Sequence, residues 1–86
     1  MTELKRIREA QGLSQSELAL YAHIPLRTLQ SLDQGVRDIR KASAEMVMDL
    51  ALILGVSPYQ LLYGQLWYKT SQDRRRELLH TAEERE

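Results

Sequence analysis

The 86-residue chain has no cysteine, no phenylalanine and only two prolines. Without cysteine, neither a disulfide nor a thiolate metal site can form, and the two histidines stand outside any ligand cluster. We therefore expect no metal ion and no cofactor. The chain also lacks the run of about 18 apolar residues that a transmembrane helix needs, and its first residues lack a signal-peptide core. We expect a soluble, cytoplasmic protein with no membrane contact.

Patterns typical of catalysis are missing as well. The sequence shows no glycine-rich phosphate loop, no separated pair of carboxylates and no Ser-His-Asp arrangement. We expect the protein not to be an enzyme.

Net charge of one sign is also absent, because twelve basic and twelve acidic side chains cancel. This balance argues against a large nucleic-acid surface, since duplex binding uses lysine and arginine to neutralise phosphates. The charge is unevenly distributed, however. Residues 1–41 carry seven basic and five acidic side chains, a local charge of +2. A local basic face matters more than the total.

What the chain does contain is a regular series of helix signals. Helices are predicted over about 3–11, 14–22, 25–34, 43–54 and 57–63. Ser14 and Glu17 form a capping-box pattern at the second helix, and Gly12, Gly35, Gly55 and Gly64 follow helix ends. A charged loop is predicted at 36–42. No stretch alternates with period two, so the pattern predicts an all-α domain over 1–64.

Residues 13–35 are the most informative part of the chain. They are predicted to form two short helices joined by a tight turn, with small or apolar side chains where the helices touch. These contact positions are Leu18, Ala19, Ala22, Ile24, Leu29 and Leu32. Polar residues occupy the outer side of the second helix. The pattern is typical of a helix-turn-helix, whose second helix enters the DNA major groove.

Three ordered motifs extend this interpretation: Leu13-Ser14-Gln15 with Glu17-Leu18-Ala19, then Leu32-Asp33-Gln34-Gly35, then Leu50-Ala51 with Leu54-Gly55-Val56-Ser57. With this spacing, residues 3–64 resemble the lambda-repressor-like (Cro/C1, xenobiotic-response-element type) helix-turn-helix family. The resemblance implies a compact five-helix domain and a sequence-specific regulator of transcription that binds double-stranded DNA. It further implies a repressor that binds an inverted-repeat operator as a homodimer.

The resemblance also assigns site residues. It implies base reading by Leu26, Arg27, Gln30 and Ser31. It implies phosphate binding by Gln15, Thr28, Gln34, Arg37, Arg40 and Lys41, and a structural ion pair between Arg8 and Asp33. The sequence departs from the family at three positions. His23 replaces a turn glycine, Pro25 replaces a serine or threonine, and Leu26 replaces a polar base reader. Leu26 either touches a thymine methyl group or reads nothing.

The C-terminal extension, 65–86, has a different composition. It begins with Leu66, Trp67 and Tyr68, and continues into a highly charged segment, 72–86, that is predicted to be helical, with Leu78 and Leu79 among its few apolar positions. This stripe is too narrow to bury a helix firmly. We expect these five apolar residues to contact a second copy or another protein, with packing on the domain core as the other interpretation. The alternative function is an antitoxin or other partner-binding module that binds a toxin through this segment and DNA for autoregulation.

Overall fold

All regular structure in the described residues, 1–64 and 73–80 of the computed structural model, is helical. The elements of the first range are α1 (Glu3–Ala10), α2 (Gln15–Tyr21), α3 (Leu26–Gln34), a short 3-10 helix (Ile39–Lys41), α4 (Ala44–Leu54) and α5 (Pro58–Tyr63). Residues 73–80 form a further helix. The prediction of an all-α fold is confirmed. No helix in these two ranges is both long and apolar enough to cross a membrane.

Side chains cap the starts of α1, α2, α4 and α5, whereas Pro25 precedes α3 without a side-chain cap, and the predicted capping box of α2 is present. The Ser14 hydroxyl accepts from the Glu17 backbone N–H at 3.0 Å, and the Glu17 carboxylate accepts from the Ser14 N–H at 3.1 Å. This reciprocal pair satisfies two amide groups that the first turn of α2 leaves without helical partners. Ser43 and Ser57 cap α4 and α5 in a simpler way. Each cap fixes where its helix begins and therefore which face turns inward.

The core lies where the five α-helices of residues 1–64 meet. Leucines from four of them are almost completely buried: Leu4, Leu18, Leu29, Leu32 and Leu50. Leu61 of α5 closes the core beside α1 and α4. Within this arrangement α3 packs mainly against α2 and also against α1. The orientation of α3 is therefore set by the two helices that precede it.

The charged loop predicted at 36–42 contains a 3-10 turn, Ile39–Lys41, that the sequence did not indicate. The Asp38 side chain caps this turn by accepting from the Arg40 backbone N–H at 3.0 Å. Ile39 packs against the core and holds the turn in place. Because Ile39 stands among charged residues, its contact with the core follows no periodic pattern in the sequence.

The described part of the C-terminal extension is the helix at 73–80, within the predicted segment 72–86. Leu78 and Leu79 are 66% and 53% exposed on it. Leu66, Trp67 and Tyr68, which the sequence also predicts as contact residues, lie outside the described residues.

Candidate nucleic-acid interface

The turn between α2 and α3 brings the two helices close together. Ala19 and Ala22 are nearly fully buried at their contact, and small side chains there permit a close crossing. The Ile24 backbone N–H donates to the Ala19 carbonyl at 2.9 Å. His23 adopts φ +56°, the left-handed conformation that a glycine would adopt more easily. The turn thus has the helix-turn-helix geometry despite the histidine.

The inner and outer sides of α3 differ sharply in exposure. Leu29, Leu32 and Asp33 are buried, whereas Arg27 and Gln34 are exposed and Leu26 is 41% exposed. Residues 26, 27, 30, 31 and 34 follow the i, i+1, i+4 spacing of one helix face. Gln30 and Ser31 are half-buried on this face, and Thr28 lies at its border. The structure therefore brings the four candidate base readers together on one outward stripe.

Several exposed cations lie on α3 and after it. In the ranges 1–64 and 73–80, no ion pair involves Arg27, Arg37 or Lys41. The Arg37 backbone N–H donates to the Ser31 carbonyl at 3.1 Å, which ties the following loop to α3. Lys41 lies close enough to Asp38 to interact with it electrostatically, so Arg27 and Arg37 are the less compensated of the three among the described residues.

Arg40 differs from these cations because its charge is already compensated. Its guanidinium donates to both carboxylate oxygens of Asp38, at 3.2 Å through Nε and 3.0 Å through Nη2. These hydrogen bonds hold the pKa of Asp38 below its ordinary value. A phosphate contact from Arg40 would have to compete with this carboxylate.

The structure places Arg8 of α1 against Asp33 of α3. Arg8 Nε donates to Asp33 Oδ1 at 2.9 Å, and its Nη2 donates to Oδ2 at 3.1 Å. These bonds raise the pKa of Arg8 above its ordinary value. Arg8 also donates through Nη1 to the Leu13 carbonyl at 2.7 Å. The pair thus joins α1, the loop before α2, and α3.

Gln15, a predicted phosphate contact, makes a hydrogen bond within the protein. Its amide Nε2 donates to Asp33 Oδ2 at 3.0 Å, and its side chain is half-buried. Sequence reasoning missed this hydrogen bond, because a contact between residues eighteen positions apart has no local pattern.

Sequence reasoning also missed an apolar groove of about 640 Å³ between α4 and α5. Its lining includes Ala42, Val47, Pro58 and Leu62, together with Met48 and Tyr59, which are each 56% exposed. The groove is an apolar surface separate from the outward stripe of α3.

In the described ranges, no group of histidine, aspartate and glutamate side chains is arranged to hold a metal ion.

Comparison with known protein families gives a match over most of the helical domain. The model of a family described as Helix-turn-helix covers residues 4–61, which is about two thirds of the chain. Searches of the curated proteins and of the solved structures found no match. The matched range spans α1 to α5 up to Leu61 and includes the turn, the α3 stripe and the Arg8–Asp33 pair. The chain therefore belongs to the Cro/C1-type, lambda-repressor-like helix-turn-helix family and is a DNA-binding regulator of transcription.

Proposed function

We propose that the protein is a repressor that binds an inverted-repeat operator as a homodimer, with α3 of each copy in the major groove. The observation that carries this proposal is the outward stripe of α3, where Arg27 is exposed and unpaired among the described residues beside Gln30 and Ser31. An arginine can donate two hydrogen bonds to a guanine edge, which gives about 1–3 kcal/mol of discrimination. Gln30 can pair with adenine in the same groove. Repression then follows from occupancy of a promoter.

Phosphate contacts are assigned to residues on both sides of α3. Arg37 and Lys41 are exposed and make no ion pair in the described ranges, so they are the strongest contributors, and Gln15, Thr28 and Gln34 add neutral donors. Arg40 contributes less, because Asp38 compensates its charge. These contacts set the position of the protein and its salt dependence, whereas the base contacts set sequence preference.

Selection of duplexes from a random pool tests base reading. At about 150 mM salt, the wild-type protein should enrich an inverted repeat, and Arg27→Ala should lose preference at one position of each half-site. Arg74→Ala, which removes an exposed arginine from the 73–80 helix, is the matched control and should keep the preference. An equal loss of affinity for every sequence in Arg27→Ala would reduce Arg27 to a phosphate contact.

Exposed apolar residues at the C-terminal end support the dimeric part of the proposal and also favour a second candidate, a protein-binding antitoxin. Leu78 and Leu79 are two adjacent exposed leucines, which make this helix more apolar than a helix free in water needs to be. Leu78→Glu with Leu79→Glu should shift a dimer to monomer in sedimentation velocity and weaken operator binding. Leu20→Glu, on a leucine of α2 that is 72% exposed, should leave the oligomeric state unchanged. Intact dimerisation and DNA affinity, with loss of a bound protein, would favour the antitoxin.

A further inference from the structure

Asp33 is the polar centre of the helix-turn-helix. Its side chain is completely buried, and its two carboxylate oxygens accept three hydrogen bonds from other side chains. Its backbone carbonyl accepts a fourth from the Thr2 hydroxyl at 2.7 Å. Thr2, Arg8 and Gln15 therefore meet at one residue of α3, and they come from the start of α1, the end of α1 and the start of α2.

The three bonds to the carboxylate have different consequences. The two from Arg8 compensate the negative charge, as a buried carboxylate requires. The third restrains Gln15, whose flexible side chain would otherwise sample several rotamers. A glutamine amide has two N–H donors and one acceptor oxygen, so Gln15 keeps one N–H and its oxygen for another partner. Its partial exposure leaves this outer half accessible to solvent.

We propose that Asp33 is a positioning residue for DNA binding: it fixes the Gln15 amide so that the remaining N–H meets a backbone phosphate without a loss of side-chain freedom. This inference rests on the proposed function, in which Gln15 is a phosphate contact. Preorganised donors bind more tightly because less conformational freedom is lost on binding. Arg8 supports this role, because without its positive charge the Asp33 carboxylate behind Gln15 would repel the phosphate.

A double-mutant cycle on DNA affinity tests the proposal, with a duplex selected by the wild-type protein as the probe. Gln15→Ala should weaken wild-type binding about tenfold, as expected for a hydrogen bond to a charged group. The comparison background is Arg8→Met with Asp33→Leu, which removes both buried charges together and avoids leaving either unpaired. In that background Gln15→Ala should change affinity less than about twofold, since the amide is no longer positioned.

Arg37→Ala supplies the control for a merely structural role of Asp33. Arg37 makes no ion pair with the Asp33 cluster, so its substitution should weaken binding by the same factor in both backgrounds. If Gln15→Ala, like Arg37→Ala, weakens binding by the same factor in both backgrounds, the positioning role is overturned while DNA binding stays established. A wild-type protein that binds no duplex would overturn both the positioning role and the proposed function.

Nuclear magnetic resonance of the free wild-type protein gives a readout that does not require the charge-free variant to fold. One Gln15 side-chain N–H should exchange slowly with solvent, whereas the exposed Gln34 amide should exchange at the rate of a free side chain. Equal exchange for the two glutamines would overturn the proposal.

Discussion

Two arginine–aspartate pairs of this protein have the same chemistry and opposite surroundings. Arg8 and Asp33 lie inside the domain and join α1 to α3, whereas Arg40 and Asp38 lie two residues apart on the surface. The Arg40 side chain is 63% exposed, while that of Asp33 is fully buried. The buried pair holds α3 against α1, and the exposed pair stabilises one 3-10 turn. The same two residue types therefore have different roles, because one pair is buried between helices and the other is exposed to solvent.

Removing one partner of the buried pair should give the largest effect. Arg8→Met leaves the Asp33 carboxylate buried without its cation, which costs about 3–5 kcal/mol, a large part of the stability of so small a domain. Urea denaturation followed by circular dichroism measures this change in the free energy of unfolding. Arg8→Met with Asp33→Leu should recover most of the loss, because burying two apolar side chains leaves no unpaired charge. A double variant as unstable as the single one would contradict this explanation.

Loss of the α2 cap should have an intermediate effect. Ser14→Ala removes the acceptor for the Glu17 N–H and should lower the free energy of unfolding by about 1 kcal/mol. Ser16→Ala is the matched control, because Ser16 is an exposed residue of the same helix outside the capping box. An equal loss in the two variants would show that the cap has no specific role.

Acidification should weaken the exposed carboxylate contacts. Hydrogen bonds from the Ser14 backbone to Glu17 and from Arg40 to Asp38 hold the pKa of each carboxylate below its ordinary value. A carboxylate with a lowered pKa stabilises the fold above its ordinary pKa, and this contribution is lost as the pH falls through the folded value. Stability should therefore decline below about pH 5. Glu17→Gln should show a shallower decline than the wild-type protein, and an identical decline would contradict the assignment.

Asp38→Asn should give the smallest effect on folding, because water and salt screen the exposed pair. The thermal midpoint should stay close to that of the wild-type protein. DNA affinity should rise, since the substitution removes a negative charge and leaves Arg40 uncompensated for a phosphate. Unchanged affinity, together with an unchanged salt dependence, would show that Arg40 lies outside the interface.

The helices were predictable because local chemistry specifies them. Ser14, Ser43 and Ser57 mark helix starts, and Gly35 and Gly55 mark ends in the left-handed conformation. The members of the outward stripe of α3 were implied by the resemblance to the helix-turn-helix family. Features that depend on distant contacts were less accessible. The 3-10 turn depends on Ile39 packing against the core, and the bond between Gln15 and Asp33 depends on how α2 and α3 cross. Neither contact leaves a repeat or spacing in the sequence.

The surface that contacts DNA can be mapped directly on the protein. In a titration with the selected duplex, followed by amide resonances, the largest changes are expected at residues 26–34 and at Arg37, with small changes in α5. Changes concentrated in α4 and α5, with α3 unaffected, would contradict the assignment of α3 as the helix that reads DNA.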